Sequence, residues 1–418
     1  MLKICIIGGG TAGWMAAGYI ESQIEDVEIT LIESKSVPTI GVGESTLPQV
    51  KTFFDTIGIS TDIWVNECDA IVKEGNSKHN WNDPNSEDDY LGYTFWCNDD
   101  NIFDNWIHGY FNKQYDKHQI NDDLYYGNDR SDFLHTAYHL NAEKIPRVIK
   151  NHCKKVIHVY DTVESLPKGF DYYLLCTGPS KKLVKDKTLF DISTYHKVNR
   201  AWVAPLHLKP NTAIDKFTRS IARKHGWQFY IDTINKTGTG YVFSSDFVSE
   251  DDALIEFNEY LEKDNRTTIH KPNLLRWNPG WLKEAWQTTE DGEVIAIGLA
   301  NGFIDPLESN ALFMIQYTST AFVDSLKKRN PKKIYNRALH KLWYLNSTYI
   351  RLFYLLARRN DSSFWKYYKQ FDIDPFKKEL WANYKLMSNK YTNLFPNALW
   401  ATTALYFDEW DYYVRNNK

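Results

Sequence analysis

Residues 2–33 read LKICIIGGGTAGWMAAGYIESQIEDVEITLIE, and this stretch decides the fold. Its apolar run at Leu2–Ile7 is bounded by glycine and predicts a short buried parallel strand. Residues 14–20 predict the helix that follows, and Val27–Ile32 predicts a second strand. A strand, a helix and a second strand in this order predict a dinucleotide-binding α/β unit of the Rossmann type.

Three glycines follow the first strand with G-x-G-x-x-G spacing. We expect Gly8 to permit a tight turn, Gly10 to let the backbone approach a pyrophosphate, and Gly13 to let the helix pack close to the strand. The N-terminal amides of that helix would face the phosphates. Glu33 ends the second strand about 20 residues later, where an acid can bind a ribose hydroxyl. A glycine-rich turn without a ligand is the alternative, and the motif does not separate NAD from FAD.

The composition excludes several classes of protein. The 418 residues carry a net charge of -4, which gives no basic footprint for nucleic acid. No apolar run approaches the roughly 20 residues of a membrane span. Because the given sequence enters its first strand at once, we expect no signal peptide. Five cysteines without C-x-x-C spacing predict reduced thiols in a cytoplasmic protein, with neither a zinc site nor a disulfide framework. The length allows one intertwined unit or two domains.

Aromatic residues make up 15% of the chain, including 15 Trp and 27 Tyr. Such side chains fill cores, cage planar substrates or cover an interface between copies of the chain. Composition does not choose among these uses, so a homo-oligomer stays open.

Beyond Glu33, turn residues and periodicity predict the remaining elements. Residues 34–48 predict a loop past the cofactor, and residues 74–130, rich in Asn, Asp, Tyr and Trp, predict a long functional excursion. The other predictions are a helix at 49–57, helical or irregular structure at 64–72, a helix at 137–151, strands at 156–159, 171–176 and 294–299, a β-rich excursion at 180–270, and helices from 319 onward.

Two short segments carry residues that could do chemistry. Lys73 lies in AIVKEGNSKHNW (residues 70–81), and Glu308 lies in GFIDPLESNA (residues 302–311), just after a strand that should abut the cofactor. A single lysine or a loop glutamate is usually solvated, so neither residue taken alone indicates a site.

Taken together, these segments resemble those of the flavin-dependent halogenases of the tryptophan-halogenase type. The likeness covers nearly the whole chain. It is carried by GGGTAGWMAA (residues 8–17), IGVGESTLP (40–48), Lys73, DYYLLCTG (171–178), GTGYVFSSDFVSEDDA (238–253), IGLANGFIDPLES (297–309), YN (335–336) and RRNDSSFW (358–365). The composition, rich in Asn, Lys and Tyr, is similar to that of phage-encoded members.

The resemblance implies an α/β fold with an FAD-binding Rossmann-like domain of the flavin monooxygenase type, β-rich substrate-side excursions and a C-terminal helical region. The FAD-binding core would span residues 1–330, with substrate-side segments inserted at about 74–135 and 180–270. Residues 331–418 would form the helical region packed on that core.

The resemblance also implies a mechanism with two sites. Reduced FAD from a separate flavin reductase, together with dioxygen, would oxidise halide to hypohalous acid, which then reaches a distant aromatic substrate. Lys73 would bind the oxidant or be halogenated by it, and Glu308 would assist at the same place. A strap at residues 34–46 would cross the flavin and touch both sites. The implied cofactor-binding residues are Gly8, Gly10, Thr11, Ala12, Gly13, Glu33, Gly43, Glu44, Ser45, Leu299 and Leu312.

Two departures from the family pattern affect these expectations. The family's W-x-W-x-I-P motif, which is thought to keep substrates off the flavin, reads WQFYID at residues 227–232. The family's Glu-Ser-Thr-Gly turn reads ESNA, so Asn310 and Ala311 would supply the halide-binding amides. Alanine in place of glycine restricts positive φ and would reshape the turn. We therefore expect bromide or iodide to be preferred over chloride.

The substrate side is the least determined by sequence. Tyr93 and Phe95 lie where tryptophan halogenases place aromatic substrate contacts, although ordinary packing explains them equally well. We expect a phenol, an indole or a related electron-rich arene. The alternatives are a flavin monooxygenase that hydroxylates an aromatic and a non-catalytic binding module with a flavoprotein fold. A simple NAD dehydrogenase is disfavoured, since nothing matches a second nicotinamide-binding unit.

Overall fold

The computed structural model describes residues 1–37, 44–94 and 137–372. Its strands, in chain order, are β1 (Leu2–Ile7), β2 (Val27–Glu33), β3 (Glu44–Ser45), β4 (Ile71–Lys73), β5 (Gly75–His79), β6 (Tyr90–Thr94), β7 (Ala137–Leu140), β8 (Val156–Tyr160), β9 (Tyr172–Leu175), β10 (Leu189–Asp191), β11 (Arg200–Leu206), β12 (Phe217–Arg223), β13 (Gly226–Asp232), β14 (Thr237–Phe243), β15 (Asn273–Arg276), β16 (Gly280–Leu282), β17 (Trp286–Thr289), β18 (Gly292–Ala296) and β19 (Gly302–Phe303). Its α-helices are α1 (Thr11–Gln23), α2 (Gln49–Thr56), α3 (Thr61–Glu67), α4 (Ile145–His152), α5 (Glu250–Lys263), α6 (Ala311–Leu326), α7 (Pro331–Leu356) and α8 (Ser363–Tyr368).

A six-stranded sheet carries the N-terminal unit, in the order β17-β18-β9-β1-β2-β8. Strand β1 is parallel to both β2 and β9, with Ile4 opposite Ile29 on one side and Tyr172 on the other. Ile4 and Ile6 are fully buried, as a continuous apolar run in a parallel sheet requires. Helix α1 packs against α4 and α6. The predicted strand–helix–strand unit is confirmed.

The largest sheet has seven strands in the order β15-β11-β14-β13-β12-β5-β6. Neighbouring strands within this sheet are antiparallel, except that β12 and β5 run parallel to each other. The predicted β character of residues 180–270 is confirmed in this sheet. The excursion predicted from residue 74 begins differently, because Gly75–His79 and Tyr90–Thr94 are regular strands of the same sheet.

A small three-stranded sheet, in the order β3-β7-β4, corrects two predictions. The helical or irregular stretch predicted at 64–72 ends at Glu67, and Ile71–Lys73 form strand β4. The helix predicted at 137–151 begins only at Ile145, with proline in its first turn. Residues 137–140 are instead strand β7, whose residues are all buried, because pairing with two other segments overrides local periodicity.

Helices form the C-terminal part of the described chain. Helix α7 runs 26 residues and buries most of its second half, which agrees with the predicted helical region. The strand predicted at 294–299 stops at Ala296, and Leu299 lies in a 3₁₀ turn at Gly298–Ala300. The overall α/β architecture, with β-rich sheets and C-terminal helices, is as predicted. Among the described residues, no helix has the length and apolarity needed to cross a membrane.

Candidate active site

The glycine turn after β1 has the close contacts that its spacing predicts. Gly8 has φ +112°, and a Cβ added there would lie 2.2 Å from the carbonyl oxygen of Cys176. A Cβ on Gly13 would lie 1.8 Å from the carbonyl oxygen of Gly8, so only glycine lets α1 pack this closely. A Cβ on Gly10 would meet nothing within 4 Å, which leaves the backbone open on that side.

The N-terminus of α1 lies at this open side. Gly10 is the N-cap and offers no side-chain cap, so the first-turn amides of Thr11, Ala12 and Gly13 are those that a helix leaves for another acceptor. The hydroxyl of Thr11 donates to the carbonyl oxygen of Ala142, 3.3 Å away. A 13-residue helix with an open N-terminus fits an anionic diphosphate, and so it fits the diphosphate of FAD.

Glu33 ends β2 directly beside the glycine turn. A Cβ on Gly9 would lie 2.4 Å from Oε2 of Glu33. The same oxygen accepts a hydrogen bond from Nε2 of His158 at 2.8 Å, and the Glu33 side chain keeps 27% of its surface exposed. The carboxylate is therefore oriented and still accessible to a ribose. Sequence reasoning missed His158, which reaches Glu33 only because β8 pairs in parallel with β2.

The 3₁₀ turn at Gly298–Ala300 lies against the first turn of α1. Gly298 has φ +65°, and a Cβ there would lie 3.1 Å from Cβ of Ala12 and 3.5 Å from Ile315 of α6. Leu312, one turn before Ile315, is 4% exposed, and Leu299 is half-buried within the 3₁₀ turn. Both leucines therefore belong to segments that meet at the open end of α1.

The strap is described at its two ends. Gly43 lies outside the described residues, whereas Glu44 and Ser45 form β3, antiparallel to β7. The hydroxyls of Ser45 and Thr218 lie 2.6 Å apart, and Thr218 lies 2.8 Å from Nε2 of His139. Because the other ring nitrogen of His139 faces the carbonyl oxygen of Asp232 at 2.9 Å, it must donate there. In the neutral imidazole Nε2 is then an acceptor, so the Thr218 hydroxyl donates to Nε2 and the Ser45 hydroxyl donates to Thr218.

Lys73 ends β4 and is fully buried. Its ammonium donates to the carbonyl oxygen of Thr46 at 3.1 Å and to the hydroxyl of Ser309 at 3.4 Å. The lysine thus joins the end of the strap to the turn that carries Glu308. Burial lowers the pKa of Lys73 well below its usual value, the charge of Glu308 opposes that shift, and the charge of Lys78 adds to it.

The turn that carries Glu308 leads directly into α6. Glu308 is 1% exposed, and the amide of Leu307 donates to Asp305 at 2.9 Å. Ala311 is the first helical residue and needs no positive φ, which falls instead at Ser309 with φ +57°. That alanine reshapes the turn stays a prediction. Asn310 is the N-cap of α6, and its side-chain amide donates to the side-chain oxygen of Asn346 at 2.5 Å.

Sequence reasoning missed a second buried lysine in this site. Nζ of Lys78 lies 2.8 Å from Oε1 of Glu308 and 3.1 Å from the carbonyl oxygen of Leu307, and the Lys78 side chain has no exposed surface. Lys78 follows Lys73 by five residues, and this short spacing was the only feature of the sequence that could have indicated a role for Lys78 in the site. Its burial follows from the place of β5 between β12 and β6 in the seven-stranded sheet, which no local sequence pattern indicates.

The sequence profile of the tryptophan halogenase family matches residues 3–408 of the chain. The chain belongs to the tryptophan halogenase family. Tryptophan 7-halogenase RebH from Lentzea aerocolonigenes is 28% identical, over 88% of this chain and 79% of its own length. Tryptophan 6-halogenase ThaL from Streptomyces albogriseolus is 26% identical, over 91% of this chain and 81% of its own length. These matches confirm the predicted flavin-dependent halogenase class of enzyme.

A solved structure gives the same assignment. The tryptophan halogenase from Shewanella frigidimarina NCIMB 400 superposes with a TM-score of 0.81 and 26% identity. The superposition covers 97% of this chain and 89% of the Shewanella chain.

The segment WQFYID, where this halogenase departs from the family motif, forms strand β13. Phe229 lies in one cross-strand row with Ser220 and Lys78, so the three residues share a face of the sheet. The ring of Phe229 fills the space above Gly240, where a Cβ would lie 2.7 Å from the ring. Asp232, in place of proline, accepts hydrogen bonds from the Thr237 hydroxyl at 2.5 Å and from the Asp215 amide at 3.0 Å.

The predicted substrate contacts of this halogenase are only partly within the described residues. Tyr93 is paired with Asn76 on β6, but its side chain and the whole of Phe95 lie outside the description. Among the described residues, no group of three or more His, Cys, Asp or Glu could hold a metal ion. The described cysteines, which are Cys5, Cys68, Cys153 and Cys176, all carry free thiols.

Proposed function

We propose that this enzyme halogenates an electron-rich arene, with Lys73 and Glu308 as its catalytic residues. One observation carries the proposal: the fully buried ammonium of Lys73 contacts both the strap, at Thr46, and the Glu308 turn, at Ser309. The same turn continues into α6, which packs on α1 behind the glycine turn. The glycine turn, which would hold the nucleotide, and the buried amine of Lys73 are therefore joined through packed helices.

The residues around the glycine turn fit FAD. Bound in its reduced form, which a separate flavin reductase would supply, FAD provides with dioxygen the oxidising power that converts halide to hypohalous acid. The residues proposed to hold the cofactor are Gly8, Gly10, Thr11, Ala12 and Gly13 at the diphosphate, Glu33 at the ribose, Gly43, Glu44 and Ser45 in the strap, and Leu299 and Leu312 at the ring.

Lys73 can act in either of two protonation states. As an ammonium it donates strong hydrogen bonds to the oxidant and orients it. Because burial lowers its pKa, the neutral amine also becomes available at lower pH than for a solvated lysine. Its lone pair can then attack the halogen of hypohalous acid, forming a nitrogen–halogen bond while the oxygen leaves and takes up an amine proton as water. Glu308 can hydrogen-bond the oxidant, and as a carboxylate it can accept the proton that the arene loses when carbon–halogen bond formation is complete.

The halide would bind at the N-terminus of α6, at the amides of Asn310 and Ala311. A 16-residue helix presents a positive dipole end there. We propose a preference for bromide and iodide over chloride, because larger halides cost less to desolvate and are easier to oxidise. Competition among equal concentrations of the three halides tests this preference. Clear chloride preference would contradict it.

A panel of arenes tests the proposed function as a whole. Phenols, indoles and tryptophan, the substrate that the names of RebH and ThaL give, would be incubated with each halide, reduced FAD and air, and products analysed by mass spectrometry. We expect products whose mass increases by one halogen in place of one hydrogen. Products that gain oxygen without any dependence on halide would assign a hydroxylating monooxygenase instead.

A further inference from the structure

Two buried lysines reach the Glu308 turn from different sheets. Lys73 lies on β4, in the three-stranded sheet with β3 and β7, and contacts Ser309. Lys78 lies on β5, in the seven-stranded sheet, and contacts Leu307 and Glu308. Three consecutive turn residues are therefore contacted by two ammonium groups that belong to two different sheets.

Burying a lysine ammonium without a partner costs free energy, so the groups that Lys78 contacts indicate which part of the site it stabilises. The Lys78 ammonium has the carbonyl oxygen of Leu307, the carboxylate of Glu308 and, 5.4 Å away, the face of the Phe353 ring. A hydrogen bond to a carbonyl, an ion pair and an aromatic face together offset the cost of burying an ammonium. These contacts hold the nitrogen of Lys78 at a fixed position beside Glu308.

We infer that Lys78 is a positioning residue, which pairs with Glu308 and holds its carboxylate beside Lys73. The inference rests on the proposed function, since it assigns a partner to the proposed catalytic acid. A buried carboxylate without a partner would be costly, and the ammonium of Lys78, 2.8 Å from Oε1 of Glu308, compensates that cost. A group that accepts a proton from the arene must lie at a fixed place beside it, and the ion pair with Lys78 fixes one carboxylate oxygen of Glu308.

The backbone contact of Lys78 adds a second effect. By binding the carbonyl oxygen of Leu307, Lys78 fixes the residue that precedes Glu308, so the side chain leaves the backbone in one direction. Ser309 follows with a positive φ of +57° and contacts Lys73. Small displacements of catalytic groups are expensive, because an error of about 1 Å can cost about a hundredfold in rate.

A double-mutant cycle between Lys78 and Glu308 tests the inference. The variants are K78M, K78R, E308Q and K78M/E308Q, and the measurements are arene halogenation, oxygen consumption with reduced FAD, and the melting temperature. We expect K78M to lower halogenation at least about tenfold while oxygen consumption stays within about twofold, and K78R to restore part of the loss. In the E308Q background, K78M should change halogenation no more than about twofold further, since no carboxylate remains to be positioned.

A merely structural lysine would behave differently. If K78M lowered halogenation equally in both backgrounds, or not at all in the parent enzyme, the positioning role would be overturned. The melting temperature separates this failure from failure of the proposed function. Even if the parent enzyme made no halogenated arene, the double variant should lose less stability than the sum of K78M and E308Q, because it leaves no unpaired buried charge. Additive losses in melting temperature would overturn the ion pair itself.

Discussion

At the scale of single residues, the site consists of polar side chains withdrawn from water. Lys73, Lys78, Glu308, His139 and Asp305 are each at most 1% exposed. Such groups are stable only when their hydrogen bonds and charges are matched, so their protonation states are set by their neighbours. The sequence predicted Lys73 and Glu308 as site residues through a family resemblance. It could not predict that Lys78 and His139 belong to the site, because their burial depends on how strands pair.

His139 gives a prediction about pH. Burial, reinforced by the charge of Lys73, lowers the pKa of His139 to about 3. Below the ordinary histidine pKa of 6.5, the unfolded chain therefore takes up a proton that the folded enzyme does not. The free energy of unfolding should fall as pH drops from 6.5 toward 3, with a contribution from His139 of up to about 1.4 kcal/mol per pH unit.

Replacing the histidine checks this sign. His139→Asn should flatten the acid side of the stability curve, measured as the free energy of unfolding in urea at pH 4, 5, 6 and 7. His79, whose pKa burial lowers to about 4, should maintain part of the slope. Replacement of the exposed His207 by Asn is the control and should leave the slope as it is. An unchanged slope in His139→Asn would show that His139 is protonated in the folded state.

At the scale of elements, the strap and Lys73 are joined through one short sheet. Strand β7 pairs with the end of the strap on one side and with the strand of Lys73 on the other. The sequence predicted the glycine turn well, because strand, turn and helix are contiguous and Gly8 and Gly13 each have a local steric reason. It failed at β4 and β7, because strands of three and four residues carry too little periodicity, and their partners are distant in sequence.

The glycine turn predicts opposite outcomes for two substitutions. Gly10→Val should fold normally, since its Cβ meets nothing within 4 Å, but should bind FAD at least about tenfold more weakly because the side chain fills the cofactor's approach. Gly13→Ala should destabilise the apoenzyme, since its Cβ would lie 1.8 Å from the Gly8 carbonyl oxygen. Melting temperature without FAD and FAD titration measure the two effects. Normal FAD affinity in Gly10→Val would place the diphosphate elsewhere.

At the scale of the whole molecule, α7 reaches back to support the site. Tyr354 donates its hydroxyl to Asp305, and Asn346 accepts from Asn310, at the two ends of the Glu308 turn. Trp343 donates to the side chain of Asn301 at 3.2 Å, just before β19. A domain boundary at residue 330 stays a prediction, and these contacts show how strongly the helix beyond it is coupled to the site. No local pattern could reveal contacts between residues 36 to 49 positions apart.

Tyr354→Phe tests this long-range support. Removing the hydroxyl removes a hydrogen bond to the buried carboxylate of Asp305, so the free energy of unfolding should fall by about 1–3 kcal/mol. A loosened Glu308 turn should also lower halogenation several-fold while oxygen consumption is maintained. Tyr160→Phe, at a 53% exposed position, is the matched control and should change neither quantity. Parent-like stability and halogenation in Tyr354→Phe would show that α7 does not hold the turn.

The most direct test of the central claim is the ratio of halogenated arene formed to oxygen consumed in Lys73→Ala. The control is Lys182→Ala, at a side chain that is 61% exposed. If a buried amine delivers an oxidant made elsewhere in the molecule, Lys73→Ala should consume oxygen with reduced FAD and form no halogenated arene, and Lys182→Ala should keep the parent ratio. A parent-like ratio in Lys73→Ala would contradict the account.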